Sequence, residues 1–169
     1  MDGTYKKEIA VRMTTRAATG LYFIEDFLSD SIHGAKDGAY FRSLCILLSY
    51  SFELLLKAQF VMTREFVDKK SLESELRDLN HNIVRISTRL GTVELDAIGI
   101  KSVTPRTSSS FVGYVIQTKP GKKIVIEDFI DIRYDFTKDA LRNLPENDEF
   151  IEWKDEALAI YNKIKKLHF

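Results

Sequence analysis

Arg77, His81 and Arg85 stand four residues apart. On one continuous helix those positions line up along a single side, so two guanidinium groups would flank an imidazole. Such a set could hold a phosphate, with His81 as general acid or base. The same spacing also suits a solvated helix face, or a histidine that bonds backbone at a helix start. A second group, Arg133-Tyr134-Asp135, lies within an apolar alternation. An arginine in that setting ordinarily pairs with a carboxylate, and Glu53 is the natural partner. Its functional reading is a grip on a nucleotide phosphate by Arg133 and Tyr134. A third group lies between Asp96 and Glu127, where Lys101, Arg106, Lys119, Lys122 and Lys123 meet no acidic residue. With Phe111 and Tyr114 interleaved, this lobe could touch phosphates and stack a base, or contact a partner protein. Lysines around a hairpin turn also serve as plain protection of a sheet edge.

Other chemistries leave no trace. There is no glycine-rich phosphate loop, no GxSxG and no HExxH, and three scattered histidines with one cysteine do not make a zinc site. Neither a metal nor a cofactor is expected. Lys plus Arg equals Asp plus Glu at 25 each, so no global field steers nucleic acid or anionic lipid. The lone Cys45 excludes an intrachain disulfide and reads as a small core hydrophobe in a reducing cytoplasm. The first residues, MDGTYKKEIAVRM, hold no apolar run of signal-peptide length. His33 reads as a surface loop residue.

The elements that must position these groups follow from periodicity. Residues 40–63 are apolar on nearly every side, as for a helix at the centre of a bundle. Glu53 and Lys57 argue against a membrane span, and as an exposed i,i+4 pair they would contribute roughly 0.3–0.5 kcal/mol. Residues 1–13 read as a loose arm. A first helix is expected from Thr14 or Thr15 to Leu28, with Gly20 marking a close helix crossing. Leu72 to Leu90 repeat in steps of three and four up to Gly91. Ser71 would cap one straight helix, or Asn80 would cap a second one beginning at His81. The stretch 92–127 is β-flavoured. Residues 104–110 read as a flexible loop, and FVGYVIQT and KIVIE as a hairpin through a type II turn at Lys119-Pro120-Gly121-Lys122. Residues 130–136 fit strand or helix. Pro145 and the acidic group after it open a last helix, whose Phe150, Trp153, Ala157, Ile160, Ile164 and Leu167 face the core. The expectation is one domain over 1–169, mainly α, a four- to five-helix bundle with a small β-hairpin inserted at about 99–127. At this length about 70% of the unfolded surface can be buried.

The order of these features resembles the HEPN superfamily (higher eukaryotes and prokaryotes nucleotide-binding). The resemblance rests on FELLLKAQF at 52–60, the Asn80-His81 dipeptide ahead of Ile83-Val84, the later Arg133-Tyr134 and the closing amphipathic helix. It implies a helical bundle that dimerises, and either an RNase of toxin–antitoxin or anti-phage systems or a silent nucleotide- or RNA-binding module. A silent member would serve a partner, commonly a nucleotidyltransferase. The nuclease members resemble one another in an Arg followed, after four to six intervening residues, by a His, the pair being brought together across a dimer. No Arg here has a His at that spacing, since only three residues separate Arg77 from His81. The sequence therefore favours the silent module, with Arg77, His81, Arg133 and Tyr134 on the ligand. A metal-independent endoribonuclease using Arg77, His81 and Arg85 is the alternative, and a pure interaction scaffold the third reading.

Overall fold

The computed structural model describes residues 3–29, 38–108, 111–119, 121–128 and 147–169. In chain order the elements are α1 (Gly3–Ser29), α2 (Gly38–Thr63), α3 (Lys69–Leu79), α4 (Ile83–Leu90), α5 (Thr92–Ala97), β1 (Ile100–Ser108), β2 (Phe111–Thr118), β3 (Lys123–Glu127) and α6 (Asn147–His168). The fold is mainly helical with one small antiparallel sheet. His33, Arg133, Tyr134, the 130–136 stretch and the Pro145 helix start all lie outside the described residues.

Helix α2 is the hub. Phe41, Leu44, Leu48, Phe52, Leu55, Leu56 and Phe60 are buried on several of its sides, as the all-round apolar pattern requires. By length and composition Phe41–Thr63 could cross a membrane, but 78% of that window is buried inside the fold. Its apolar surface is spent on neighbouring helices, which fits a water-soluble bundle.

Helix α1 begins at Gly3, so the loose arm expected over 1–13 is helix instead. The reason is tertiary. Ala10 and Thr14 are buried, Tyr5, Ile9 and Met13 pack on the core, and Lys6 Nζ donates to the Arg64 carbonyl at 2.7 Å. Gly20 does mark a close crossing, since a Cβ there would lie 2.5 Å from Ser51 Oγ and 3.1 Å from Leu47. Helix α6 runs antiparallel along α1. The buried Lys154 binds Asp155 at 2.7 Å and Glu25 at 3.3 Å. Burial pushes its ammonium pKa down, but those two carboxylates outweigh it and the net shift is upward. Phe150, Trp153, Ala157, Ile160 and Ile164 face the core as expected, whereas Leu167 is exposed.

The run from Leu72 to Leu90 is two helices. Asp68, not Ser71, is the N-cap of α3, with Ser71 three residues on completing a capping box. Asn80 does not cap a helix at His81. It takes a positive φ of 49°, which asparagine tolerates, and Asn82 caps α4 through the Arg85 amide. Arg64 Nη2 donates to the carbonyls of Arg89 and Leu90 and closes the far end of α4.

Thr92–Ala97 is a short helix rather than strand. The sheet after it has three strands in the order β1-β2-β3, one more than the hairpin foreseen. Residues 104–108 belong to β1 instead of a loop, pairing Thr104 with Val115 and Arg106 with Gly113. Threonine and serine suit an exposed edge strand as well as a loop, and Pro105 is tolerated there because an edge amide need not pair. The β2–β3 turn closes through Gly121 N–H to the Thr118 carbonyl, one residue earlier than the Pro-Gly signature implied. Gly121 still supplies the positive φ, 103°. Ile116 opposite Ile124 and Tyr114 opposite Ile126 turn one face of the sheet inward. Ser49 Oγ of α2 donates to the Glu127 carbonyl at 3.0 Å, so the sheet is part of the body.

Candidate functional site

The polar centre of the molecule is built on α2. Glu53 is only 2% exposed, in a helix whose neighbours are apolar. Its Oε1 accepts from Lys57 Nζ at 2.7 Å, one helical turn on. Across the bundle, His81 Nδ1 stands 2.9 Å from Oε2 and 3.1 Å from Oε1. A carboxylate only accepts, so the proton of this bond sits on Nδ1, and Nε2 is the ring atom turned away from Glu53. His81 reaches this position because α3 stops at Leu79 and Asn80 turns the chain before α4 begins. The imidazole therefore occupies a connector and faces α2.

Burial differs sharply among the three side chains: 2% exposed for Glu53, 12% for Lys57 and 38% for His81. A lone buried carboxylate would cost several kcal/mol, and two cationic or donor partners offset that cost. The Glu53–Lys57 pair, whose exposure the sequence left open, is interior because the stripe it occupies faces the α3–α4 connector. The outcome is an imidazole fixed at Nδ1, presented at the surface, with an ammonium group behind it. That arrangement can donate to an anion or carry a proton to or from one.

The other expected site residues are not gathered here. Arg77 Nε donates to the Glu73 carbonyl at 3.3 Å and stays on the exposed face of α3. Arg85 Nη1 donates to the Asp78 carbonyl at 2.6 Å and fastens the end of α3 to α4. The row Arg77, His81, Arg85 required an unbroken helix, and the break at Asn80 dissolves it. Arg133 and Tyr134 lie outside the described residues. Among those described, the Glu53 carboxylate that Arg133 was expected to seek is held by Lys57 and His81.

The basic lobe is also partly spent. Lys119 pairs with Asp96 of α5, and Lys122 with Glu152 at 3.0 Å and Glu156 at 3.4 Å of α6. Hydrogen bonds to Glu152 and Glu156 raise the Lys122 ammonium pKa. Tyr114 is 6% exposed and its hydroxyl donates to Asp128, so its ring offers no face to a base. Arg106 and Lys123 remain exposed.

No family model, curated protein or solved structure matches this chain. The geometry alone must carry the reading. Two further polar groups went unnoticed in the sequence. Gln59, 1% exposed, donates to the Glu94 carbonyl at 3.2 Å and meets His168 Nε2 at 2.8 Å. Burial, and then Lys6, lower the His168 pKa. The Gln59 amide inside an otherwise apolar helix was the available signal. Cys45 is a buried thiol pushed up to about 12 by burial and by Glu127, too high for a nucleophile at neutral pH. Among the described residues, no group of three or more His, Cys, Asp or Glu could hold a metal ion.

Proposed function

We propose that this chain is a HEPN-like module that binds a nucleotide or RNA without cleaving it. In this reading it works as a cytoplasmic homodimer, or beside a nucleotidyltransferase-type partner, in a toxin–antitoxin or anti-phage setting. The observation that carries it is the Glu53–Lys57–His81 centre. A buried carboxylate orients an imidazole at 2.9 Å, with an ammonium group 2.7 Å from the same carboxylate. In its doubly protonated form the imidazole donates from Nε2 to a phosphate while the buried carboxylate holds Nδ1, so the donor meets the anion without having to reorganise. Arg77, held on the exposed face of α3 and not gathered at this centre, is assigned to the ligand in this reading alone. Arg133 and Tyr134 join the ligand in the same reading.

Thermal unfolding in the presence of ATP, GTP or a short RNA tests it. A ligand at 100 times its Kd adds about 2.7 kcal/mol to stability. The expected result is stabilisation of the wild type by at least one nucleotide, and none for His81→Ala. Equal melting with and without every ligand would leave the interaction scaffold as the better reading.

One observation favours a second reading. An imidazole anchored at Nδ1 by a carboxylate is the arrangement of a general base, which suits a metal-independent endoribonuclease with His81 as its proton carrier. Labelled RNA incubated with wild type and His81→Ala separates the two. Cleavage by the wild type that disappears in the variant would establish the nuclease and end the silent reading.

A further inference from the structure

The geometry points to a second anion-binding surface, formed where the start of α1 meets the ends of α2 and α6, whose partner is the phosphodiester backbone of single-stranded nucleic acid. Lys6 and Lys7 come from the first turns of α1, and Lys165 and Lys166 from the last turn of α6. Three contacts bring these ends together. Lys6 Nζ lies 2.7 Å from the Arg64 carbonyl at the end of α2, Lys7 Nζ stands 6.0 Å from the Phe169 ring, and His168 reaches Gln59 of α2 at 2.8 Å.

Part of this charge has a local purpose. The carbonyl ends of α2 and α6 each carry about half a negative charge, and basic residues there complement them. Glu65 adds one carboxylate, 3.5 Å from Lys6. Four ammonium groups exceed that demand, and the amino end of α1 adds positive character of its own. Among the described residues Lys7, Lys165 and Lys166 have no ion pair, and all three are exposed. In a chain of zero net charge this excess is local rather than a general bias.

The corner also has a ring to offer. Phe169 is 42% exposed beside Lys7, and Leu167 is 51% exposed. An exposed aromatic face next to lysines is the pairing by which single strands are held, with bases on the ring and phosphates on the ammonium groups. An anionic lipid surface can use both the charge and the apolar side chains, so anionic vesicles are the competing probe in the test.

This surface is separate from the Glu53 centre. Gln59 follows Glu53 by six residues, which turns it about 240° around α2, onto the other flank. The His168 imidazole, docked on Gln59 under the influence of Lys6, therefore reports on this corner alone.

Fluorescence anisotropy of a labelled oligouridine RNA tests the inference, using wild type, the triple variant Lys7→Glu/Lys165→Glu/Lys166→Glu, the same triple with glutamine, and Arg16→Glu. The expected result is binding by the wild type that weakens at least about tenfold in the glutamate triple and less in the glutamine triple. Its salt dependence should become shallower by about 2 in log K against log salt, for three lost phosphate contacts. In the wild type, saturating RNA should raise the pH at which the His168 imidazole titrates by NMR. Arg16→Glu, an exposed cation midway along α1, should bind RNA as the wild type does; an equal loss there would make the effect one of general charge and overturn the assignment to this corner. Absent wild-type binding at low salt, a smaller loss in the glutamate triple, or binding only to phosphatidylserine vesicles would overturn the proposal. Circular dichroism spectra of the triple variants that match the wild type at the assay temperature guard against a folding artefact.

Discussion

The Glu53 centre and the turn of the sheet both contain ion pairs, and the contrast between them shows what a charge is doing. At Glu53 a carboxylate 2% exposed is shared by Lys57 and His81 inside the bundle. At the turn, Lys122 reaches Glu152 and the more covered Glu156, and Lys119 reaches Asp96, with Lys119, Lys122, Glu152 and Asp96 all about half exposed. The pairing is similar in both places, but the surroundings differ. Water can replace a partner at the turn and cannot do so at Glu53. The first pair is therefore expensive to break, and the second fastens the sheet to its neighbours at little energetic consequence.

Removing the carboxylate should have the largest effect. Glu53→Leu strands the Lys57 ammonium at 12% exposure and is expected to cost ~3–5 kcal/mol in urea unfolding. Adding Lys57→Met should recover most of that loss, because an apolar pair of similar volume has no charge to solvate. Failure of the second change to rescue the first would mean that the stranded Lys57 charge is not what the loss of Glu53 costs.

The next effect sets a polar contact against a steric one. Gly20→Ala puts a methyl 2.5 Å from Ser51 Oγ and should cost about 1–3 kcal/mol. Ser51 Oγ is buried and has no hydrogen-bond partner, so Ser51→Ala should be neutral or stabilising alone and should relieve Gly20→Ala. A double-mutant cycle on thermal unfolding reads this coupling.

A smaller, pH-dependent effect belongs to His168. Burial and Lys6 hold its pKa below the ordinary 6.5, so the docked ring prefers to be neutral. Its contribution is complete above pH 6.5 and is lost as the pH falls towards the depressed folded value, where protonation favours the undocked state. Melting temperatures between pH 7.5 and 5.5 should fall less for His168→Gln than for the wild type. The smallest effect is at the turn: Lys122→Ala should move the urea midpoint little, since Lys122 and Glu152 are each nearly half exposed and water reaches the pair.

Legibility in the sequence follows the same contrast. The all-round apolar face of α2 was plain, because no other element tolerates Phe41, Leu48, Phe52, Leu55 and Phe60 together on so many sides. The β2–β3 hairpin was plain too, because Val-Ile alternation and Gly121 are local signals. Glu53 and Lys57 were visible as a pair but not as interior, since burial is decided by what covers a stripe, and the cover is a connector some 28 residues on. The row Arg77, His81, Arg85 misled because periodicity continues across a break made by two asparagines. The first turns of α1 were invisible because their order comes from Arg64 and Glu73, far along the chain. Tyr114 looked like a base platform and is a core residue, since alternation does not say which face is covered.

Strand β1 has a consequence for the protein when it is concentrated. Among the described residues it is an outer strand of the sheet, and Lys101, Thr104, Pro105 and Arg106 along it are exposed. Proline interrupts the row of amides that a second copy would need to zip onto, and the cations beside it repel an identical neighbour. Crowded solutions of this protein should therefore stay clear rather than thread into fibrils from that margin.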